Sequence, residues 1–77
     1  MKIEYDEIAD AVYVRLLDEP VAYTKALDDL RNIDYSGKHV PVGIEWLCVS
    51  EGIDLSGIPQ ADRIGELLFG RSFKVYA

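Results

Sequence analysis

The sequence predicts an α+β fold: a small antiparallel β-meander of about five strands with one C-terminal helix packed on it. Polar and apolar residues alternate through residues 1–49, with turn residues at short intervals, which is typical of strands. Over residues 59–70 the apolar residues are spaced three and four apart, which indicates an amphipathic helix. Alternation returns in residues 71–77, so this tail is expected to be a last strand on this sheet or on that of a neighbouring copy. The 77 residues form one predicted domain.

The segment from Val40 to Val49 is predicted to be the central strand. Every second residue from Val40 to Cys48 is apolar, so one whole face turns inward. The opposite face is mixed at its start and apolar at its end, as expected for a strand that is covered on both faces near its end. Trp46 lies on the fully apolar face and is the predicted core anchor.

The first two strands are predicted to form a hairpin. The first contains Ile3 and Tyr5, and the second runs from Ala11 to Leu17, with a turn rich in carboxylates between them. Pairing Asp6 with Ala11 places Ile3 opposite Val14 and Tyr5 opposite Val12. The large aliphatic side chains of both strands then lie on one side of the sheet.

The third and fourth strands are predicted over residues 21–27 and 30–35, and the fourth forms a hairpin with the central strand through residues 36–39. Pairing Tyr35 with Val40 brings Ile33 opposite Val42. The face of the third strand depends on the turn before the fourth. A two-residue turn at residues 28–29 puts Ala22, Thr24 and Ala26 toward the core, and a loop one residue longer puts Val21, Tyr23 and Leu27 there instead.

Composition restricts the classes of function. One cysteine and one histidine allow neither an internal disulfide nor a structural zinc site. A net charge of −6 without a basic patch argues against nucleic acid and anionic membranes and favours a basic protein partner. No apolar leader and no run of 18 apolar residues is present, so we expect a soluble, cytoplasmic protein.

No catalytic, cofactor or metal residues are predicted. Cys48 and His39 are nine residues apart on one strand, about 30 Å, which is too far for a nucleophile–base pair. Cys48 is expected to be a small buried residue and His39 a solvated one. Glu45 is the most notable single carboxylate because it lies mid-strand beside Gly43, on the less apolar face. It is expected to be either an exposed charge or an ion-pair partner of an arginine, Arg31 or Arg15.

The leading functional interpretation is a non-enzymatic protein-interaction module. A chain this short often gains stability by association, and a homodimer is favoured. The apolar residues of the tail, Phe73, Val75 and Tyr76, are the candidate interface. The other expected ligand is a basic protein, which this chain would mask as an antitoxin masks its target. The alternative is a small-ligand or metal-binding protein with a carboxylate-based site around Glu45.

Several short motifs resemble the DUF2283 family of small uncharacterised prokaryotic proteins. These are residues 1–6 (MKIEYD) followed by residues 9–16 (ADAVYVRL), Ile33-Asp34-Tyr35 before a glycine turn, and Val42-Gly43-Ile44-Glu45 after it. The resemblance extends to about residue 49; the turn at 36–39 is less acidic than in the family, and the helix and tail lie beyond the shared part. It implies a small antiparallel sheet and no particular activity.

Overall fold

The computed structural model describes residues 1–77 and confirms the α+β fold. Its elements are β1 (Lys2–Asp6), β2 (Ala11–Arg15), β3 (Tyr23–Ala26), β4 (Arg31–Tyr35), β5 (Pro41–Leu47), a 3-10 turn (Val49–Glu51), β6 (Ile53–Asp54), helix α1 (Ala61–Leu68) and β7 (Val75–Tyr76). The first five strands form one antiparallel sheet, and β6 and β7 form a separate parallel pair.

The strand order is β1-β2-β5-β4-β3, so β5 is central, as predicted. Strands β3, β4 and β5 follow one another as neighbours, and the β1–β2 hairpin joins the sheet beside β5. The connection from β2 to β3 therefore passes the ends of β5 and β4. It is held there by backbone hydrogen bonds from Leu16 to Val42 (2.8 Å) and from Ala22 to Tyr35 (2.8 Å).

The register of the β1–β2 hairpin is the predicted one. Asp6 lies opposite Ala11, Ile3 opposite Val14 and Tyr5 opposite Val12. The Asp6 carboxylate accepts a hydrogen bond from the backbone N–H of Ala9 (3.0 Å), which stabilises the turn locally.

The predicted register between β4 and β5 is wrong by two residues at Ile33 and by one residue at Tyr35. Ile33 lies opposite Ile44 rather than Val42, and Tyr35 lies opposite Pro41 rather than Val40. The register shifts between Asp34 and Tyr35, and this irregularity leaves Val42 without a partner in β4. A displacement of two residues preserves the face, so Ile33 still points into the core.

The third strand follows the second of the two predicted alternatives. Leu27 donates a backbone hydrogen bond to Arg31 (2.8 Å), which makes the connection three residues long and places Tyr23 opposite Tyr35. Tyr23 thus shares a face with the core. The two aromatic rings stack with their centroids 5.2 Å apart, and Val21 and Leu27 are a little under half exposed.

Helix α1 and the loop before it cover one face of the sheet. The core consists of Val12, Val14, Leu16, Ile33, Ile44, Trp46, Val49, Ile53, Leu55, Ile58, Ile64 and Leu68. Trp46 is 1% exposed and donates its indole N–H to the Asp54 carbonyl (2.9 Å), so it is the anchor that was predicted. Gly65 brings the helix close to the loop, because a Cβ at this position would lie 3.2 Å from Leu55 Cδ1. The eight-residue helix is too short to cross a membrane.

The tail forms a strand within its own chain, but this strand pairs with β6 and does not extend the five-stranded sheet, which was one of the two expected positions. Val75 and Tyr76 of β7 pair in parallel with Ile53 and Asp54 of β6. The backbone N–H of Ile53 donates to the Lys74 carbonyl, and that of Leu55 donates to the Tyr76 carbonyl, both at 2.7 Å.

Candidate functional site on the open face of the sheet

The face of the sheet opposite the helix, here the open face, carries a mostly polar set of side chains. It is formed by the residues that alternate with the core residues along each strand: Lys2, Glu4 and Asp6; Ala11, Tyr13 and Arg15; Gly43, Glu45 and Leu47; Asn32 and Asp34; and Thr24 and Ala26. One solvated face is usual for an antiparallel sheet. This face is the candidate functional site because its polar groups are ordered by contacts between strands.

Tyr13 crosses the central strand to reach Asp34. The Tyr13 hydroxyl donates to Asp34 Oδ2 (2.8 Å), while the Thr24 hydroxyl donates to the other oxygen of the same carboxylate. Gly43 makes this crossing possible, because a Cβ there would lie 1.8 Å from the Tyr13 hydroxyl oxygen. A glycine in the middle of the central strand thus lets a tyrosine lie across the sheet surface.

The environment of Tyr13 favours its neutral form. Burial, the hydrogen bond to Asp34 and the negative charge of that carboxylate raise the pKa of Tyr13 to about 12. Arg15 acts in the opposite direction. The phenol therefore remains a hydrogen-bond donor throughout the physiological range.

A second feature of the open face is a row of side chains that runs across four strands. Glu4 lies opposite Tyr13, Tyr13 opposite Glu45, and Glu45 opposite Asn32. Asn32 donates its side-chain amide to Glu45 Oε1 (3.1 Å). With about 4.8 Å between neighbouring strands, the backbones of Glu4 and Glu45 are about 10 Å apart.

The two glutamates line one cleft of about 340 Å³, with Tyr13 between them. Its apolar lining includes Ala11 and Leu47. Glu45 is therefore half-buried beside a cleft and bonded to Asn32. Neither of the arginines suggested as its partners forms an ion pair or hydrogen bond with it: Arg31 bonds on the helix side, and Arg15 donates to the Glu19 carbonyl (3.1 Å).

Arg31 holds three segments together on the opposite side of the sheet. Its guanidinium forms an ion pair with Asp28 (2.7 Å) and donates to the backbone carbonyls of Asp54 and Ser56. Its hydrogen bond to Asp28 lowers the pKa of that carboxyl, while backbone and side-chain hydrogen bonds from Ser56 lower the pKa of Asp54. Arg31 is buried and its donors are used within the chain, so this cluster is structural.

The other turn carboxylates act locally or between turns. Asp10 accepts hydrogen bonds from the backbone N–H (2.9 Å) and the hydroxyl (2.6 Å) of Ser50, which joins the first turn to the end of β5. No three His, Cys, Asp or Glu side chains are grouped closely enough to hold a metal ion.

His39 and Cys48 lie at opposite ends of β5. His39 is exposed, as expected for a solvated loop residue, and its Nδ1 is hydrogen-bonded to the Tyr23 hydroxyl (2.8 Å). Cys48 is partly buried and adopts a left-handed backbone conformation (φ 54°) as the chain leaves the strand.

The candidate interface residues of the tail lie next to the parallel strand pair. Phe73 packs edge-on against Tyr5 with ring centroids 4.9 Å apart, and Val75 is partly buried. Tyr76 is half exposed. Their strand pairing is satisfied within the chain; a contact of these side chains with another copy remains a prediction.

The comparison with protein families agrees with the residues that first indicated a relationship. The family model of DUF2283, described as a protein of unknown function, matches residues 2–50. Neither a curated protein nor a solved structure matches the chain. The matched region contains all five strands of the antiparallel sheet and covers more than half of the 77 residues. The chain therefore belongs to the DUF2283 family of proteins of unknown function.

Proposed function

We propose that this chain is a non-enzymatic protein-interaction module that binds a basic protein surface through the open face of its sheet. The observation that carries the proposal is the cleft that Glu4 and Glu45 line on either side of Tyr13. Its carboxylates lie on the face that the helix leaves uncovered. Masking a basic partner, as an antitoxin does, is one form of this function.

The chemistry of the cleft suits the side chain of a lysine or arginine. The aliphatic part of such a side chain can lie on Ala11 and Leu47 while its charged end remains near water and the carboxylates. Charge-assisted hydrogen bonds to Glu4 and Glu45 would then orient it. The ring of Tyr13 adds a surface on which a guanidinium can stack.

The net charge of the whole chain also favours a basic partner. A net charge of −6 on a small domain attracts a basic partner over long distance and speeds the encounter, an effect that salt weakens. The cleft would supply the local contact, and the overall charge the rate of association.

Affinity capture from host lysate, compared between wild type and the double variant Glu4→Gln/Glu45→Gln, tests the proposal. We expect basic proteins to be captured by the wild type and lost with the double variant. Glu51→Gln is the matched control, because it removes an exposed carboxylate outside the open face. Equal capture by all three proteins would contradict the proposal.

A second measurement locates the contact without knowledge of the partner. A short arginine-containing peptide is titrated in while the amide chemical shifts of the chain are recorded by NMR. The amides of Tyr13, Glu45 and Leu47 should shift at lower peptide concentration than those of other residues. Shifts centred elsewhere, or none at millimolar peptide, would contradict a basic-side-chain site in this cleft.

The same cleft supports the alternative of a carboxylate site for a small ligand or a metal ion, because Glu45 shares it with Glu4. We expect Ca²⁺, Mg²⁺, Mn²⁺ and Zn²⁺ to leave the melting temperature unchanged, since Glu4, Glu45 and Asp6, which all line the cleft, are not grouped closely enough to hold a metal ion. A ligand present at about 100 times its Kd would add about 2.7 kcal/mol to the free energy of unfolding. A saturable upward shift of the melting temperature would favour the alternative.

A further inference from the structure

The two edges of the five-stranded sheet differ in how they are protected. Charged residues occupy alternate positions of β1, where Lys2, Glu4 and Asp6 follow one another. The segment Val21–Leu27, which contains β3, carries a single charge at Lys25. Charged side chains are a common protection of sheet edges against pairing with another chain. The β3 edge carries such a charge at one position only, Lys25, against three positions in β1.

The hydrogen bonds of β3 show which of its backbone groups are free. Leu27 bonds to Arg31, and Lys25 and Tyr23 lie at the alternate positions opposite Ile33 and Tyr35. In an antiparallel pair the intervening residues direct their N–H and C=O groups away from the neighbouring strand. The backbone groups of Thr24 and Ala26 therefore point outward along the edge.

We propose that two copies of this chain pair antiparallel through their β3 edges, about a two-fold axis at Thr24. Thr24 of one copy then lies opposite Thr24 of the second copy, and their outward N–H and C=O groups form a reciprocal pair of hydrogen bonds. A ten-stranded sheet results, with the open faces of both copies on one side. The contact uses the sheet edge and does not depend on the function proposed for the cleft.

The sequence around Thr24 is self-complementary in this register. Val21 and Leu27 lie three residues to either side of Thr24. Val21 of each copy therefore lies opposite Leu27 of the other copy. They are 44% and 42% exposed in the single chain, and pairing would remove this apolar surface from water. Lys25 falls opposite Tyr23 of the second copy, where an ammonium group can lie against an aromatic ring.

The neighbouring registers are less favourable. An axis at Lys25 places the two lysines directly opposite each other, which is destabilising. An axis at Ala26 brings Thr24 against Asp28 and leaves Val21 without an opposing apolar residue. An axis at Tyr23 brings Ala26 against Pro20, which has no N–H to donate.

The oligomeric state of two matched variants tests the edge. Wild type should run as a dimer by light scattering at micromolar concentration, and Leu27→Lys should run as a monomer with an unchanged far-UV spectrum. Leu67→Lys is the control, because Leu67 is 40% exposed but lies on the helix, and it should remain a dimer. A monomeric wild type, or a Leu27→Lys protein that remains a dimer, would overturn the proposal.

Disulfide trapping tests the register without destabilising the edge. In a Cys48→Ala background, Thr24→Cys should form a covalent dimer under mild oxidation, because the Cα atoms of directly opposed residues are about 5.5 Å apart, within disulfide range. Ala26→Cys should not, since its two copies would be about 14 Å apart along the strands. Preferential cross-linking of Ala26→Cys over Thr24→Cys would overturn this pairing. It would also be overturned if Thr24→Cys stayed reduced and the dimer dissociated on deletion of residues 71–77.

Discussion

At the scale of single residues, Gly43 matters because it is the place where Tyr13 crosses the central strand. Gly43→Ala should displace the ring and break the bond to Asp34, since the new methyl group would fall 1.8 Å from the phenolic oxygen. Overpacking of this kind costs about 1–3 kcal/mol. Urea unfolding should show that Gly43→Ala lowers the free energy of unfolding by this amount in the wild-type background. In a Tyr13→Ala background the same substitution should lower it little, because no ring remains to be displaced. Equal losses in both backgrounds would refute this account of Gly43.

The titration of Tyr13 gives a second test at this scale. Its pKa is raised from 10.0 to about 12, so the neutral phenol contributes stability that is present below pH 10 and is lost as the pH rises through about 12. Tyr13→Phe should remove the late step from the phenolate absorbance titration. Tyr76→Phe should leave that step in place, because Tyr76 is half exposed and belongs to the separate β6–β7 pair rather than to the sheet that contains Asp34. A late step that survives Tyr13→Phe would assign it to another tyrosine.

The face on which a residue lies could be predicted from the sequence when the alternation within one strand decides it. Trp46 and Glu45 could be assigned to opposite faces because alternation within β5 decides the face. The bond from Tyr13 to Asp34 could not be predicted, because it joins residues 21 positions apart and depends on the register of three strands. Gly43 beside Glu45 was the available signal: a glycine in a central strand often marks a close approach.

At the scale of elements, local patterns determined the register of the β1–β2 hairpin but not that of the β3–β4 and β4–β5 hairpins. The β1–β2 register was predictable because one short turn and two aliphatic faces agree. The β4–β5 register was not, because an irregularity leaves Val42 without a partner in β4. The Val42 carbonyl accepts backbone hydrogen bonds from Leu16 and Leu17, at the end of β2, and the pattern within β4 and β5 gives no sign of that contact. The face of β3 depended on one extra loop residue.

Arg31 gives a prediction for the loop that follows β6. Replacing it with Met should leave the Ser56 carbonyl without its donor, while the Asp54 carbonyl loses one donor and keeps the Trp46 indole N–H. An acceptor left unpaired costs about 1–3 kcal/mol when it is buried, and the Ser56 carbonyl is only partly buried, so we expect the lower end of that range. Urea unfolding measures this loss, and Arg15→Met is the control because Arg15 donates only to an exposed carbonyl, that of Glu19. A loss no greater than that of the control would show that Arg31 is dispensable.

The same cluster should affect stability in acid. Arg31 holds the pKa of Asp28 below its usual value, so the ion pair contributes stability that is present above about pH 4 and is lost as the pH falls through the lowered pKa. Asp28→Asn should therefore be less stable than wild type at neutral pH, and the difference should shrink toward strongly acidic pH. A difference that is constant with pH would contradict the role of the ion pair.

At the scale of the whole molecule, the family region and the C-terminal part share one core. The DUF2283 match ends at residue 50, yet five of the 12 clustered core residues come later: Ile53, Leu55, Ile58, Ile64 and Leu68. They pack on the same face as Trp46, whose indole N–H bonds to the carbonyl of Asp54. The C-terminal part thus supplies the covering layer of the sheet that carries the open face.

This shared core predicts that the chain unfolds as one cooperative unit. Trp46 fluorescence reports on the sheet and far-UV circular dichroism reports largely on backbone structure, and their thermal transitions should coincide. Ile64→Ala, at a fully buried helix position, should lower both midpoints together, because its cavity opens against the sheet and costs about 2–5 kcal/mol. Leu67→Ala, on the exposed side of the same helix, should change either midpoint little. An Ile64→Ala protein whose helical signal melts first while Trp46 stays buried would show that the helix is a separate unit, because the sheet would then not need its cover to remain folded.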